Sequence, residues 1–258
     1  MADVQLTAPI SNQLDSIRAI QRSYDKKSEE LATFRKNDDQ KTQRIADYVA
    51  KQLSDQASDY LAIKDSIRQG ASKSLVAQSG LRSIDKTLDQ LKSLALQHEN
   101  TSDAATQAKL QAQFDALSKQ VDNFARDSSF GGTQLISDQP DDLVIPVSKD
   151  SSITIKGQAS DSASLNLDIT NVKSIDTAKA QIRAAEQSIG SDAATVQIRE
   201  NFTDKLVNGL QEGAAKLVNV DLNEVAAQAI TASTRNQLAT EALALSAKSG
   251  RSILQLFS

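Results

Sequence analysis

Apolar residues recur along this chain at alternating three- and four-residue steps, the signature of a helix face that repeats about every seven residues. Five stretches carry the pattern. The first places Leu6, Ile10, Leu14, Ile17, Tyr24 and Leu31 on one face. The second is less regular and runs through Ile45, Val49, Leu53, Ala57, Tyr60, Ile63 and Ile67. The third, Ala77, Leu81, Ile84, Leu88, Leu91 and Ala95, alternates without a break, and the fourth is Leu110, Phe114, Leu117, Val121 and Phe124. The fifth fills the C-terminal third. Ile175, Ile182, Ile189 and Val196 fall one every seven residues with Ala178 and Ala185 between them, then Phe202, Leu206, Leu210 and Leu217, then Leu222, Val225, Ala229, Ala232, Ala239 and Leu243.

The breaks are also legible. Asn100-Thr101-Ser102-Asp103 reads as the turn of a helical hairpin with capping residues for the next helix. Ser128-Ser129-Phe130-Gly131-Gly132 ends the fourth stretch. Gly190-Ser191-Asp192 leaves the heptad phase intact, which predicts a continuous or slightly bent helix there. Between Gly132 and Thr170 the pattern changes to β-rich runs, Leu143–Val147 and Ile153–Ile155, separated by a loop over Ser148–Ser152. Leu165, Leu167 and Ile169 alternate with polar residues and predict a third, half-buried strand. The expected fold is therefore mainly α with a small β-hairpin element, an elongated helical rod built like a coiled-coil bundle. The first and last helices lie beyond the central hairpin, so little within one molecule should cover their apolar stripes. Such a stripe favours association.

Composition sharpens this picture. Among 258 residues there are 9 Gly, 3 Pro, no Trp and only 3% aromatics, which suits long helices with small-residue seams better than a sheet sandwich. No Cys is present, so disulfides and thiolate metal sites are excluded. The net charge is -4 with both signs interspersed, and no basic stripe points to nucleic acid. No apolar run approaches the roughly 18 residues that a membrane span needs. Met1–Leu6 lacks the basic start and apolar run of a cleavable signal peptide, so export would need another route.

Residues with catalytic potential are few. His98 is the only histidine and reads as an exposed helix-end residue. Asp38-Asp39 and Asp141-Asp142 read as solvated turns rather than ion sites. Gly131-Gly132 lacks the Lys-Ser/Thr of a phosphate loop, and no Gly-x-Ser-x-Gly elbow occurs. The inventory predicts a protein that is no enzyme and needs no cofactor.

Three segments resemble the bacterial flagellin family. The first leads from Ser66-Ile67-Arg68-Gln69-Gly70-Ala71-Ser72 through Ala77-Gln78-Ser79-Gly80-Leu81 to Leu88–Gln97. Its Leu81 to Gln97 spacing and Leu-Ala-x-Gln ending are similar to the family's. The second, Phe124 to Ile136, contains Ser129-Phe130-Gly131-Gly132 and Leu135, similar to the Thr/Ser-x-Phe-Gly/Asn-Gly-x-x-Leu turn that leads into flagellin hairpins. The third runs from Val220-Asp221-Leu222 through Gln237-Leu238-Ala239-Thr240 to the tail Ser252-Ile253-Leu254-Gln255-Leu256-Phe257. The likeness covers about residues 45–258. The first 45 residues depart from it, with Val4–Ser11 in place of an Asn-rich opening and Leu31–Asp39 in place of an Arg-Leu-Ser-Ser-Gly segment.

The resemblance implies a structural subunit that polymerises into the flagellar filament for motility. It would be secreted, act outside the cell and lack large outer variable domains. It implies residues 1–40 and 218–258 as helices of the inner filament core, which pair on assembly. It further implies 41–132 and 171–217 as the two helical parts of a rod domain, and 133–170 as the rod's β-rich segment. Leu6, Ile10, Leu14, Ile17, Leu222, Val225, Ala229, Leu243, Leu254, Leu256 and Phe257 would then form the subunit interface. Implied partners are further copies of the chain, an export chaperone, and hook-associated and cap proteins. In members that activate the vertebrate innate flagellin receptor, an Arg-x-Arg-Glu-Leu-Ala run is followed by a Glu on the next helix. The matching positions here are Gln90, Lys92, Leu94 and Gln113, so the charged contacts would be lost. Two alternatives are a hook–filament junction protein, which shares such ends, and an unrelated secreted helical-bundle adhesin.

Overall fold

The computed structural model describes residues 8–256, and side chains for 11–249. Five helices account for most of it. They are α1 (Ala8–Thr33), α2 (Gln40–Glu99), α3 (Ala104–Asp127), α4 (Val172–Val218) and α5 (Leu222–Leu256). Four short strands lie between α3 and α4: β1 (Ser129–Phe130), β2 (Thr133–Gln134), β3 (Leu143–Ser148) and β4 (Ser151–Ile155). The fold is thus mainly α with a small β element, as the periodicity predicts. The second and third apolar stretches belong to one 60-residue helix, α2. The fifth divides at Asn219–Asp221 into α4 and α5, while α4 runs through Gly190 unbroken.

The chain forms two compact units, one of Ala57–Asn208 and the other of Met1–Gln56 with Gly209–Ser258. Their limits fall inside α2 and α4. The ranges implied by the family likeness instead end at the loops after α1 and α4.

The unit of residues 57–208 holds the main core. Ala77, Leu81, Ile84, Leu88, Leu91 and Ala95 of α2 are fully buried, as are Ile175, Ala178, Ile182, Ile189 and Val196 of α4. Leu110, Phe114 and Val121 of α3 join the same cluster. Burying each such side chain contributes on the order of 1.5–3 kcal/mol. Several polar residues share this interior. Ser74, Thr87 and Thr203 satisfy their hydroxyls by donating to carbonyls four residues back, at Gly70, Ser83 and Arg199. Thr203 corrects the sequence reading. The heptad from Ile175 continues through Thr203 and Val207, which are buried, whereas Phe202 is 54% exposed with Arg199 over its ring. An apolar/polar pattern misses this step because a threonine holds the seam position.

Caps end the helices where the sequence places them. Asp39 accepts from the backbone N–H groups of Lys41 and Thr42 at the start of α2, and Asp103 accepts from Thr106 at the start of α3. These bonds hold both carboxyls below their ordinary range, the Thr42 and Thr106 hydroxyls being the largest cause in each case.

β1 and β2 pair through Gly131-Gly132, both at positive φ, so the segment expected to end a helix and lead into hairpins itself forms a two-residue hairpin. β3 and β4 pair antiparallel, with Leu143 opposite Ile155 and Ile145 opposite Ile153. Their turn is tighter than the expected Ser148–Ser152 loop, because Ser148 and Ser151 themselves pair. The expected third strand is absent. Residues 161–166 form turns, with Asp161 accepting from the N–H groups of Ala163 and Ser164, and Asn166 at φ 50. Leu165 and Ile169 are nonetheless buried. Alternating burial here arises from a turn anchored by an aspartate, which period-two reading cannot tell from a strand.

Candidate assembly surface

In the other unit, α1 and α5 run antiparallel and pack on one another. This corrects the expectation that the terminal stripes lack any partner within the molecule: they cover each other. The cover is thin. Among the described residues, the buried apolar ones of this unit are Ala50, Ala214, Val225, Ala229 and Ala232, all small, while Leu14, Ile17, Tyr24, Leu31 and Leu243 are half-buried. Polar residues also enter the seam. The Gln13 side-chain amide donates to Ser246 at 3.4 Å, Asn236 donates to Gln21, and the Gln13 carbonyl oxygen is buried without a partner. Buried polar contacts at a helix seam fix register at a cost in stability.

Of the expected interface residues, Val225 and Ala229 face the α1 side, and Leu14, Ile17 and Leu243 lie at its margin. Leu222 is exposed. Ile10, Leu254 and Leu256 lie within α1 and α5, but their side chains fall outside the described residues, as do Leu6 and Phe257 altogether.

The sequence reading missed a second apolar face on α5. Ile230, Leu238 and Leu245 are 68%, 62% and 71% exposed. They follow one another at eight- and seven-residue intervals, two turns apart each time. The spacing is present in the sequence, but it runs alongside the stripe through Val225, Ala229 and Leu243, and spacing alone does not say which of two stripes is covered. A groove of about 640 Å³ runs between the two helices, lined by Ala19, Ile20, Ala227, Thr231 and Arg235 among others.

The loops at the far end of this helix pair are tied together. The N–H of Lys36 donates to the Val218 carbonyl at 2.9 Å, and the N–H of Val220 to the Phe34 carbonyl at 3.3 Å. The Lys36 ammonium reaches the Lys216 carbonyl at 2.6 Å, and Arg35 pairs with Asp47. Phe34 sits at φ 58, an uncommon conformation for a bulky residue, held by this clamp. Beneath it Glu30 is buried and accepts from Lys27 and from the N–H of Asn37. Burial pushes the Glu30 carboxyl up, yet the Lys27 and Asn37 bonds with the nearby Lys26 charge outweigh it and leave its pKa lowered.

A separate surface lies in the unit of residues 57–208. Gln90 and Leu94 of α2 and Gln113 of α3 line one shallow groove of about 490 Å³ with Ser93, Ala116 and Leu117. Lys92 does not join them, since its ammonium is bonded to Asp176 of α4 at 2.6 Å. Among the described residues no cluster of acidic or imidazole groups could hold a metal ion, and no helix is long and apolar enough to cross a membrane.

The family model for the bacterial flagellin N-terminal helical region matches residues 5–141, more than half of the chain. This chain belongs to the bacterial flagellin family. Flagellin relatives agree along most of their length. The chain is 28% identical over 221 residues to flagellin FljK of Caulobacter vibrioides, covering 81% of each. It is 21% identical over 220 residues to a flagellin of Brucella melitensis, covering 76% of this chain and 78% of the relative. A crystal structure of Bacillus cereus flagellin is similar over 57% of this chain and 88% of that one, with a TM-score of 0.42 and 22% identity. The flagellins are structural proteins, and this chain is a subunit of the flagellar filament that lies outside the cell.

Proposed function

We propose that this flagellin polymerises by burying the outer face of α5 against neighbouring copies, while α1 covers the inner stripe. The carrying observation is the row of Ile230, Leu238 and Leu245, each more than three-fifths exposed on a helix whose opposite face is covered. A row of large apolar side chains in water favours association, because each one buried contributes on the order of 1.5–3 kcal/mol and a filament repeats the contact in every subunit. The family likeness implies Leu6, Ile10, Leu254, Leu256 and Phe257 as further interface residues; their side chains fall outside the described residues. The matches to flagellins along about four-fifths of the chain favour a filament subunit over a junction protein or an adhesin. The test is assembly of the purified protein, followed by electron microscopy. Wild type should form long filaments, and Leu238→Asp with Leu245→Asp should leave a folded monomer that forms none. Normal filaments from the double variant would remove α5's outer face from the interface.

The same exposed face requires cover before export, which an export chaperone would supply. Hook-associated and cap proteins would meet the filament at its ends. For the innate receptor, the Gln90–Leu94–Gln113 groove keeps an apolar floor and lacks charge, and Lys92 is engaged with Asp176. Weak activation follows, since a lost charge-assisted contact at a buried interface costs on the order of a hundredfold in affinity. A reporter-cell assay with monomer measures it, and potency equal to an activating flagellin would overturn it.

A further inference from the structure

Within residues 57–208 the flank of the α2–α4 seam carries a row of ion pairs. Lys64 pairs with Asp204, Arg68 with Glu200, Arg82 with Glu186, Asp85 with Arg183, Asp89 with Lys179, and Lys92 with Asp176. Each step of three or four residues forward along α2 is matched by the same step backward along α4. The rungs between Arg68 and Arg82 are uncharged: Ala71, Leu75 and Gln78 fall opposite Gln197, Ala193 and Gly190 in the same register. Read from Lys64, the α2 charges run plus, plus, three neutral, plus, minus, minus, plus, and α4 carries the complement.

We propose that this order of signs fixes the register of α2 against α4 by penalising one-heptad slips. The apolar seam cannot do so by itself, because Ile175, Ile182, Ile189 and Val196 recur every seven residues with Ala178 and Ala185 between the first three. A slip of seven residues exchanges one β-branched apolar residue for another at the sites from Ile175 to Val196, the ambiguity of any regular heptad. The charges remove it. Sliding one way brings Arg82 opposite Lys179 and Asp85 opposite Asp176. Sliding the other way brings Asp89 opposite Glu186 and Lys92 opposite Arg183. Each slip loses all six attractive rungs and creates these repulsive ones, to which the second slip adds Glu99 opposite Asp176. Exposed pairs add little stability, and most of these side chains are exposed or half-exposed. Their sign order acts on the alternatives more than on the native state. Lys179 is the exception in burial, at 8% exposure, and lies within reach of both Asp85 and Asp89.

The test separates sign order from pair number. Swapping the two central rungs, as Arg82→Glu, Asp85→Lys, Arg183→Glu and Glu186→Lys together, keeps all six native pairs attractive. It also makes the four slipped encounters of these rungs attractive. The chain has no cysteine, so pairs introduced at the neutral rungs report register. Gln78→Cys with Gly190→Cys reads the native one, Gln78→Cys with Gln197→Cys one slip, and Ala71→Cys with Gly190→Cys the other. The full chain is refolded from urea under reducing conditions and treated with a short bismaleimide, which spans rungs too far apart for a direct disulfide, and cross-linked species are counted by peptide mapping. The fourfold swap should raise slipped cross-links at least roughly tenfold over the wild-type charge pattern, about 1.4 kcal/mol in relative population. If the swapped chain does not fold, the neutral set Arg82→Gln, Asp85→Asn, Arg183→Gln and Glu186→Gln, which removes those four clashes, should give an intermediate rise. Slipped cross-links unchanged from wild type in whichever variant folds would overturn the proposal.

Discussion

The two compact units of this flagellin share the long helices α2 and α4 yet differ in what they bury. The largest fully buried side chains, among them Ile67, Leu81, Ile84, Leu88, Leu91, Ile175, Ile182 and Ile189, all belong to residues 57–208. Among its described residues, the unit of residues 1–56 and 209–258 buries alanines and one valine as its apolar side chains, and leaves its leucines and isoleucines half-covered or exposed. The first therefore carries its own core, and the second has a stability that depends on further cover. A filament subunit needs both: a part that is stably folded in the single molecule, and a part whose uncovered apolar surface drives polymerisation.

Four measurements sharpen or break this contrast. The largest difference should appear in amide hydrogen exchange of the monomer. Helix amides of α1 and α5 should exchange at least roughly a hundredfold faster than those of α2 over residues 77–95, because local opening is easier where few large side chains are buried. Limited proteolysis should accordingly leave a resistant fragment close to residues 57–208. Equal protection in both units would end the distinction.

Next in size, Ile182→Ala should lower the unfolding free energy by ~2–5 kcal/mol in denaturant melts, whereas Leu243→Ala should cost the monomer well under half of that, its side chain being half-buried. A third probe is Gly80, where α2 passes close to the end of α3. A Cβ there would lie 2.6 Å from the Cβ of Ser128 and 2.7 Å from the Cδ1 of Ile136. Gly80→Ala should therefore destabilise by ~1–3 kcal/mol despite the helix propensity gained, and a stabilised variant would show that the contact yields.

The smallest effect concerns acid. Glu30 has its pKa lowered from 4.5, so its contribution to the loop clamp is present above that value and is lost as pH falls below it. Glu30→Gln should flatten the acid side of the stability curve for α1 and α5 while leaving residues 57–208 unchanged. Helix-specific circular dichroism or fluorine labels on the two units would read this. An unaltered acid limb would mean that the clamp does not depend on this carboxylate.

Much of the fold was legible from the chain alone because helices report their buried face in a short repeat. The seams through Ala77–Ala95 and Ile175–Val196 are local periodicities, and every residue predicted to lie in them is buried. The turn at residues 100–103 and the β-hairpin of Leu143–Ile155 carry equally local signals. What failed has two causes: a local polar bond that an apolar pattern does not register, or a partner distant in sequence. Thr203 occupies a seam position because its hydroxyl finds the Arg199 carbonyl and the heptad phase carries it inward. Leu165 and Ile169 are buried from turns that Asp161 organises rather than from a strand. Lys92 leaves the groove of Gln90 and Gln113 because Asp176, on a helix reached only after the β element, takes its charge. The apolar spacing of the sequence determined where helices form and which faces seek cover. Only the tertiary structure decided which stripe on α5 is covered by α1 and which is left for another molecule, because burial is a property of neighbours and not of spacing.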